Sequence, residues 1–301
     1  MSVGLFFEDE TRRILSETVE KQYGKKIARE IIPFGAKASK GDNSMVQYVV
    51  DSVGWMELKK RISDDFELSD VAKEEIAKIL YVSETGFEYN INELWTAMEK
   101  NISLDGEKVK ACLRNYEDMI NRTAFIGQAN LGLTGIANNS YVDIVTDMGA
   151  TFAAATSEQR VTFFASLVGN VWTGSKNTIS ADVLVIPSTE YTAMGEKTYS
   201  NSGVVTDKSE LDMLQTRLNG MYGSVKIVSS LELEAQGLAG VQRAVAYKND
   251  EDVLYFEETL PLEFNNVQER NNFFRVPAVC KVGGVWVRRP YGMNYGDYAK
   301  A

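Results

Sequence analysis

The strongest constraint in the sequence is a long helical stripe that runs straight into three glycines. From Ser103 onward, Val109, Cys112, Leu113, Tyr116 and Ile120 follow the i, i+3, i+4, i+7 spacing that puts apolar side chains on one helix face. Lys108, Lys110, Arg114, Glu117 and Asp118 occupy the opposite face. Continued to about Ile126, such a helix is on the order of 30 Å long at about 1.5 Å per residue. The stretch from Asn121 to Gly135, NRTAFIGQANLGLTG, then carries Gly127, Gly132 and Gly135. A fold that holds this rod must pack one side of it and redirect the chain at its end.

Glycines spaced like this can cradle a phosphate or permit a sharp turn. A phosphate-binding loop of the Walker type needs a Lys and a Ser or Thr after its last glycine, so that amides, amine and hydroxyl converge. Gly135 is instead followed by IANNSYV. A dinucleotide fingerprint needs a strand before its glycines and a helix after them. Here the helix comes first and a loop follows. A nucleotide-binding enzyme built on Gly127–Gly135 is therefore a remote alternative. The segment reads as a helix end and interdomain joint, where glycine supplies a positive φ.

Composition narrows the chemistry further. The 301-residue chain has no histidine, which removes Ser-His-Asp and Cys-His catalysis and most transition-metal sites. Cys112 and Cys280 are its only cysteines and read as free thiols, although the sequence leaves a bridge between them open. There are 32 Lys and Arg against 42 Asp and Glu, a formal net charge of −10, which argues against sequence-independent nucleic-acid binding and leaves a locally basic surface open. The first residues, MSVGLFFEDETRR, lack the basic start of a secretory signal. Apolar runs such as Val183–Ile186 are far too short to span a bilayer, so the chain reads as soluble, with no membrane partner.

Along the chain, residues 5–24 carry a helical pattern, and AREIIPF (Ala28–Phe34) reads as a short strand. GAKASKGDNS is turn-rich. Met45–Leu58, broken at Gly54, and Lys78–Ile91 are extended and flank a polar, acidic stretch, Ile62–Glu75, that favours turns. This pattern predicts a long β-excursion. Asn92 is placed as the cap of a helix through Lys100. Beyond Gly135, a helix from Ser157, a buried strand Ala181–Pro187, a helix Ser209–Asn219 closed by Gly220, and three further strands form a contiguous α+β block, about Leu133 to Leu260. Lys248–Glu251 reads as the turn between the last two strands. The tail, with two strands around Gly283-Gly284, reads as a hairpin.

Other candidate sites have plainer readings. Asp250, Glu251, Asp252, Glu257 and Glu258 match no cation-binding loop and read as a solvated hairpin tip and strand edge. Lys59-Lys60-Arg61 and Arg288-Arg289 read as solvated or interface charges. Ser188 and Ser209 lack a base to activate them. No catalytic, cofactor-binding or metal-binding residue is assigned, and the chain is not expected to be an enzyme.

Several segments resemble a known family. ETGFEYNINEL, YEDMINRTAFIGQANLGLTGIANN and FRVPAVCKVGGVWVRRPYGMNYGD are similar to segments of tailed-bacteriophage and prophage major capsid proteins. The helix-ending A-F-x-G element is Ala124-Phe125-Ile126-Gly127, the G-x-x-G turn is Gly132-Leu133-Thr134-Gly135, and Ile136-Ala137-Asn138 follows, matching at Asn138 by a short polar loop only. In the tail the elements are Val276-Pro277, Gly283-Gly284-Val285 and Val287-Arg288-Arg289-Pro290. The resemblance covers about Arg29 to the end.

It implies the Hong Kong ninety-seven type capsid fold, α+β, with an N-terminal arm (1–34), an extended loop (35–76), a peripheral domain with a long spine helix (77–130 and 262–301) and an axial domain (131–261). It also implies a structural role. Copies would form hexamers and pentamers that close into an icosahedral shell around double-stranded DNA, assembled in the bacterial host cytoplasm and retained in the virion. Portal and scaffolding or decoration proteins are the further partners it suggests. An encapsulin-type nanocompartment of the same fold is the alternative. Some capsids of this fold crosslink Lys to Asn. Lys37 and Lys40 lie in the extended-loop region, but no acceptor or acid for such a bond is identifiable, and none is assigned.

Overall fold

A computed structural model describes residues 26–53, 70–100, 104–146, 148–201, 204–271 and 273–300. The helical pattern at 5–24, the break at Gly54 and the basic run Lys59-Lys60-Arg61 lie outside them. The long helix is present as Leu104–Phe125. It buries Cys112, Tyr116, Ile120, Ala124 and Phe125, whereas Leu113 is 43% exposed although it fits the apolar spacing. The buried stripe is narrower than the pattern suggests: the helix is covered by one sheet together with the helical turn Ala28–Ile31 and the joint that follows it, and Leu113 falls outside that cover.

That sheet is antiparallel and four-stranded. Its central strand, Phe273–Val282, pairs along its whole length with Tyr81–Asn90, from Phe273↔Asn90 to Val282↔Tyr81. Leu260–Phe264 and Gln268–Arg270 share its other edge. Tyr116 and Ile120 pack in one core with Cys280 and Val282, so the helix covers the sheet face that those residues occupy.

The predicted β-excursion is a two-stranded hairpin, Ser44–Val53 with Asp70–Ile79, in unbroken register from Ser44↔Ile79 to Val53↔Asp70. Ten residues per strand extend roughly 30 Å at about 3.4 Å each. The return strand is Asp70–Ile79 and not Lys78–Ile91: the stretch expected to favour turns as far as Glu75 is strand from Asp70, and Tyr81–Asn90 belongs to the four-stranded sheet. The partner strand supplies a ladder, and pairing overrides weak local preference.

The second half of the chain centres on a mixed five-stranded sheet. Its order is Lys226–Ser230, Val183–Pro187, Gln242–Tyr247, Met293–Tyr298 and Ile144–Val145. Successive side chains in a strand point to opposite faces. Leu184, Ile186, Ala244 and Ala246 accordingly join Phe163, Phe164, Leu167 and Val171 of the helix Ser157–Gly174. Val183, Val185, Val245 and Tyr247 join the core that contains Tyr116, Ile120 and Phe125. The sheet is a wall shared by two cores, which is why Val183–Pro187 reads as a continuous apolar run.

Several expectations are corrected. The stretch Ala28–Phe34 is not a strand: Ala28–Ile31 is a helical turn, and only Phe34–Gly35 is extended. The helix before Lys100 starts at Ile91, and Asn90 rather than Asn92 caps it, its Oδ1 accepting from the Asn92 amide at 3.2 Å. The helix begun at Glu210 passes through Gly220 and ends at Gly223, whose φ is 85°. Gly283-Gly284 does not close a hairpin. Gly284–Val287 leaves the sheet of Phe273–Val282 and pairs with Leu254–Glu257, which also pairs with Phe34–Gly35. Lys248–Glu251 likewise joins strands of different sheets. Finally, residues 262–301 do not stay together with 77–130, because Met293–Tyr298 is the fourth strand of the five-stranded sheet.

Candidate functional site: the joint after the long helix and the root of the hairpin

The glycine segment folds back on the helix that precedes it. Gly127, with φ 73°, turns the chain, and Gly127–Gln128 pairs antiparallel with Leu133–Thr134. The short turn between them closes at Gly132, with φ 68°. The last carbonyls of a helix have no partner within it. Here the returning chain supplies partners: the Ile136 amide donates to Ala124 O at 2.8 Å and the Ala137 amide to Phe125 O at 3.0 Å. Asn138 completes the set, its Nδ2 donating to Ile126 O at 2.5 Å while its Oδ1 accepts from the Gly135 amide at 2.7 Å. The amides of Gly132 and Gly135 are thus committed within the joint.

Both sides of the fold then pin this corner. The Tyr81 hydroxyl donates to Leu131 O at 2.7 Å. From the five-stranded sheet, the Tyr295 hydroxyl donates to Ile136 O at 2.6 Å and Arg243 Nη1 to Ala137 O at 2.5 Å. Arg243 is itself held by a buried pair with Asp297, at 2.6 Å. The joint is a fixed angle between two halves.

The hairpin is gripped at its root by three charged side chains. Glu257 is fully buried and accepts from the Lys37 amide at 2.9 Å, the Ala38 amide at 3.1 Å and the Thr259 hydroxyl at 3.1 Å. Lys281, also buried, donates to Lys40 O at 3.2 Å. On the return strand, Lys78 donates to Val285 O at 2.7 Å and to Thr134 Oγ1 at 3.1 Å, and its Nζ lies 5.2 Å from the centre of the Trp286 ring. No carboxylate lies within ion-pair distance of Lys78 among the described residues, and burial pushes its ammonium down to about 8.

A further network ties the start of the described chain to the long helix. The Asn121 side chain accepts from the amides of Ile27 and Ala28, each at 3.2 Å. Arg29 bridges Glu117 at 3.0 Å and Glu258 at 2.8 Å, and the Tyr116 hydroxyl also donates to Glu258. Burial raises the Glu258 carboxyl, but hydrogen bonds from Arg29 and Tyr116 outweigh it and leave it below the usual range.

The expectation that Glu257 and Glu258 are solvated is therefore wrong; both are buried in hydrogen-bonded sites. Glu251 and Asp252 are exposed, as expected, and pair with Lys37 and Arg288. Ser209 caps a helix by accepting from the Asp212 amide at 3.1 Å. Ser188 opens a helix without a capping bond from its side chain. Cys112 and Cys280 are free and buried. Among the described residues no three His, Cys, Asp or Glu side chains group to hold a metal, and no helix is long and apolar enough to cross a membrane. The glycines and the exposed charges could be found from sequence. Lys78, Lys281 and Glu257 could not, because their partners lie far away in the chain.

Residues 55–299 match the sequence model of the family described as Major capsid protein. No curated protein sequence matches the chain. Among solved structures, the chain is similar to the capsid of Myoviridae Phage XM1, with 18% identity and a TM-score of 0.81, covering 96% of this chain and 97% of that one. It is similar to the capsid of a native GTA particle, with 13% identity, TM-score 0.67 and coverage of 99% and 98%. It is also similar to a virus-like particle from Pyrococcus furiosus, with 12% identity, TM-score 0.53 and coverage of 91% and 93%. At these identities the likeness is one of fold.

Proposed function

The chain belongs to the major capsid protein family, and from that premise we propose that its copies assemble through hexamers and pentamers into an icosahedral shell enclosing the double-stranded DNA of a tailed phage or prophage. The observation that carries this reading is the two-stranded hairpin. It exposes Val46 (45%), Tyr48 (63%) and Ile79 (57%), which share one face in the register Ser44↔Ile79. An apolar face on an arm of about 30 Å is stable against water only when a partner covers it. Copies in a closed heterologous arrangement supply that partner.

The proposed division is an arm (1–34), an extended loop (35–76), a peripheral part (77–130 with 262–292) and an axial part (131–261) completed by Met293–Tyr298. The role is structural, without catalysis. Portal and scaffolding or decoration proteins are its further partners, with assembly in the host cytoplasm and residence in the virion. The test is negative-stain microscopy of the purified chain, with nuclease protection of particles from its native source. Uniform shells with protected DNA are expected. Small shells without DNA would favour a cargo compartment of the same fold, and a persistent monomer would sink both.

A further inference from the structure

Both legs of the hairpin set a lysine on one aromatic pair. Tyr255 and Trp286 are register partners on Leu254–Glu257 and Gly284–Val287, and their rings lie nearly parallel, at 13°, with centres 6.4 Å apart. Lys37, where the chain leaves the body, has its Nζ 4.1 Å from the Tyr255 ring centre. Lys78, on the returning strand, stands over the Trp286 ring. A cation over a ring is drawn to the negative face of its quadrupole, more strongly where water is excluded. The orientation of Trp286 fits that use. The side chain is 2% exposed, yet its indole Nε1 has no hydrogen-bond partner among the described residues. A buried N–H left unpaired is costly, so this ring is held for its face and not for its edge.

The two lysines differ in what else they hold. Lys37 pairs with the exposed Glu251 at 3.5 Å. Lys78 instead donates to Val285 O, one residue before Trp286, and to Thr134 Oγ1. Thr134 is the register partner of Gly127, the residue that turns the chain at the end of the long helix. One ammonium thus touches the hairpin, the aromatic pair and the joint. Tyr81 also reaches the joint, at Leu131 O, but from the four-stranded sheet.

The hairpin is the part offered to a neighbouring copy, and the joint sets the angle between the two halves. Resting on the shell reading above, we infer that Lys78 is the positioning residue that couples them: held on Trp286 and bonded to Thr134, it makes a copy that grips the hairpin act on the angle between the halves of the subunit it grips. Lys37 steadies the hairpin without reaching the joint.

Substitutions of the two lysines should therefore behave differently in the unassembled full-length chain. Nitroxide labels on Tyr48→Cys in the hairpin and Tyr141→Cys in the body report the position of the hairpin; both sites are exposed, and the natural Cys112 and Cys280 are buried. Amide hydrogen exchange at Ile136 and Ala137, which bond the last carbonyls of the long helix, reports the joint. Lys78→Met should broaden the label distances and speed exchange at both amides by about tenfold, the equivalent of one lost hydrogen bond. Lys37→Met should broaden the distances and leave the exchange unchanged. Unchanged exchange in Lys78→Met, or equal acceleration in both variants, would overturn the coupling through Lys78.

A ring series keeps Lys78 in place and decides the matter if Lys78→Met does not fold. Tryptophan analogues with increasing ring fluorination, substituted for Trp286 alone, drain negative charge from the ring face with little change of shape. Hairpin distances and joint exchange should loosen in step with fluorination. Indifference to it would mean that packing alone holds the lysine, and the inference fails. In shells, exchange at Ile136 and Ala137 should slow relative to the unassembled chain, and Lys78→Met should lose most of that slowing. Equal slowing in both would overturn transmission from a neighbour. If the wild-type chain forms no shells, the shell reading fails, and the unassembled chain still decides whether hairpin and joint are coupled.

Discussion

Gly127 and Gly135 stand back to back. A Cβ on Gly127 would lie 2.7 Å from the amide nitrogen of Gly135, and a Cβ on Gly135 would lie 2.7 Å from that of Gly127. Each would also approach a carbonyl, Leu133 O at 2.2 Å and Phe125 O at 2.3 Å respectively. The joint closes only because neither residue has a side chain. Gly132 differs: it needs its positive φ, but a Cβ there meets nothing within 4 Å.

The three glycines therefore predict a graded series. Gly132→Ala should cost about 1 kcal/mol, the price of a left-handed non-glycine residue. Gly127→Ala and Gly135→Ala should cost about 3 kcal/mol or more, since backbone must move to admit the methyl group. Urea midpoints of the unassembled chain give the comparison. Equal losses at all three positions would refute the close-approach argument.

Asn138 predicts a subtler effect. It is exposed, yet it satisfies both Ile126 O and the Gly135 amide. Asn138→Ala should cost about 1 kcal/mol, the net value of a partly solvated bond set. Asn138→Asp should do no better, because it retains the acceptor for Gly135 but turns a carboxylate oxygen toward the Ile126 carbonyl. An Asp variant as stable as the wild type would show that the Nδ2 bond contributes nothing.

What the sequence revealed depended on the distance over which each feature is encoded. The long helix is a local pattern, and its limits were legible to within a residue or two. The paired strands Tyr81–Asn90 and Phe273–Val282 each looked extended, but nothing in either names the other across the intervening chain. Glu258 lay in an acidic run and read as solvated. Its actual partner Arg29 is 229 residues away. Leu113 fits the helical spacing and is still exposed, since spacing records the pattern and not the width of the surface that covers it.

Glu258 also predicts a pH dependence. Its folded carboxyl lies below the ordinary value, so the stability it contributes is present above the unfolded carboxylate range. That contribution is lost as pH falls through the folded value. Glu258→Gln should be less stable than the wild type at pH 7 by about 1–2 kcal/mol, discounted because Arg29 is partly exposed. The two proteins should converge in acid. A constant offset down to the lowest measurable pH would remove the Arg29–Glu258 pair as its cause.

Lys78 predicts a change of the same sign, a gain with rising pH, in an alkaline window. Its folded value, about 8, lies below the ordinary lysine value, so the unfolded chain binds more protons between the two. Stability should rise with pH across that window, by at most about 3 kcal/mol if other groups are held constant. Other lysines and tyrosines titrate nearby, so the quantity to read is the difference between wild type and Lys78→Met. The wild type should gain relative to the variant from about pH 8 upward. A difference independent of pH would mean that the ammonium is better solvated than its burial implies.

The root of the hairpin gives the most direct link between a buried charge and assembly. Glu257 holds two successive amides, Lys37 and Ala38, where the chain leaves the body for the hairpin. Removing the carboxylate with Glu257→Ala leaves those amides and the Thr259 hydroxyl without their acceptor. Lys37 and Lys40 then become readier tryptic sites, because cleavage requires the segment to detach. Glu257→Gln retains one oxygen where Oε1 stands and loses only the charge, so its cleavage rate should fall between those of Glu257→Ala and the wild type. Shell yield should follow the same order, since a hairpin whose root is released presents Val46, Tyr48 and Ile79 at no fixed position to a neighbour. If Glu257→Ala resists trypsin as the wild type does, the root is held by Lys281 and Lys78 alone. If it is cleaved readily but still gives full shell yield, the orientation of the hairpin is set by the neighbouring copy and not by its own subunit.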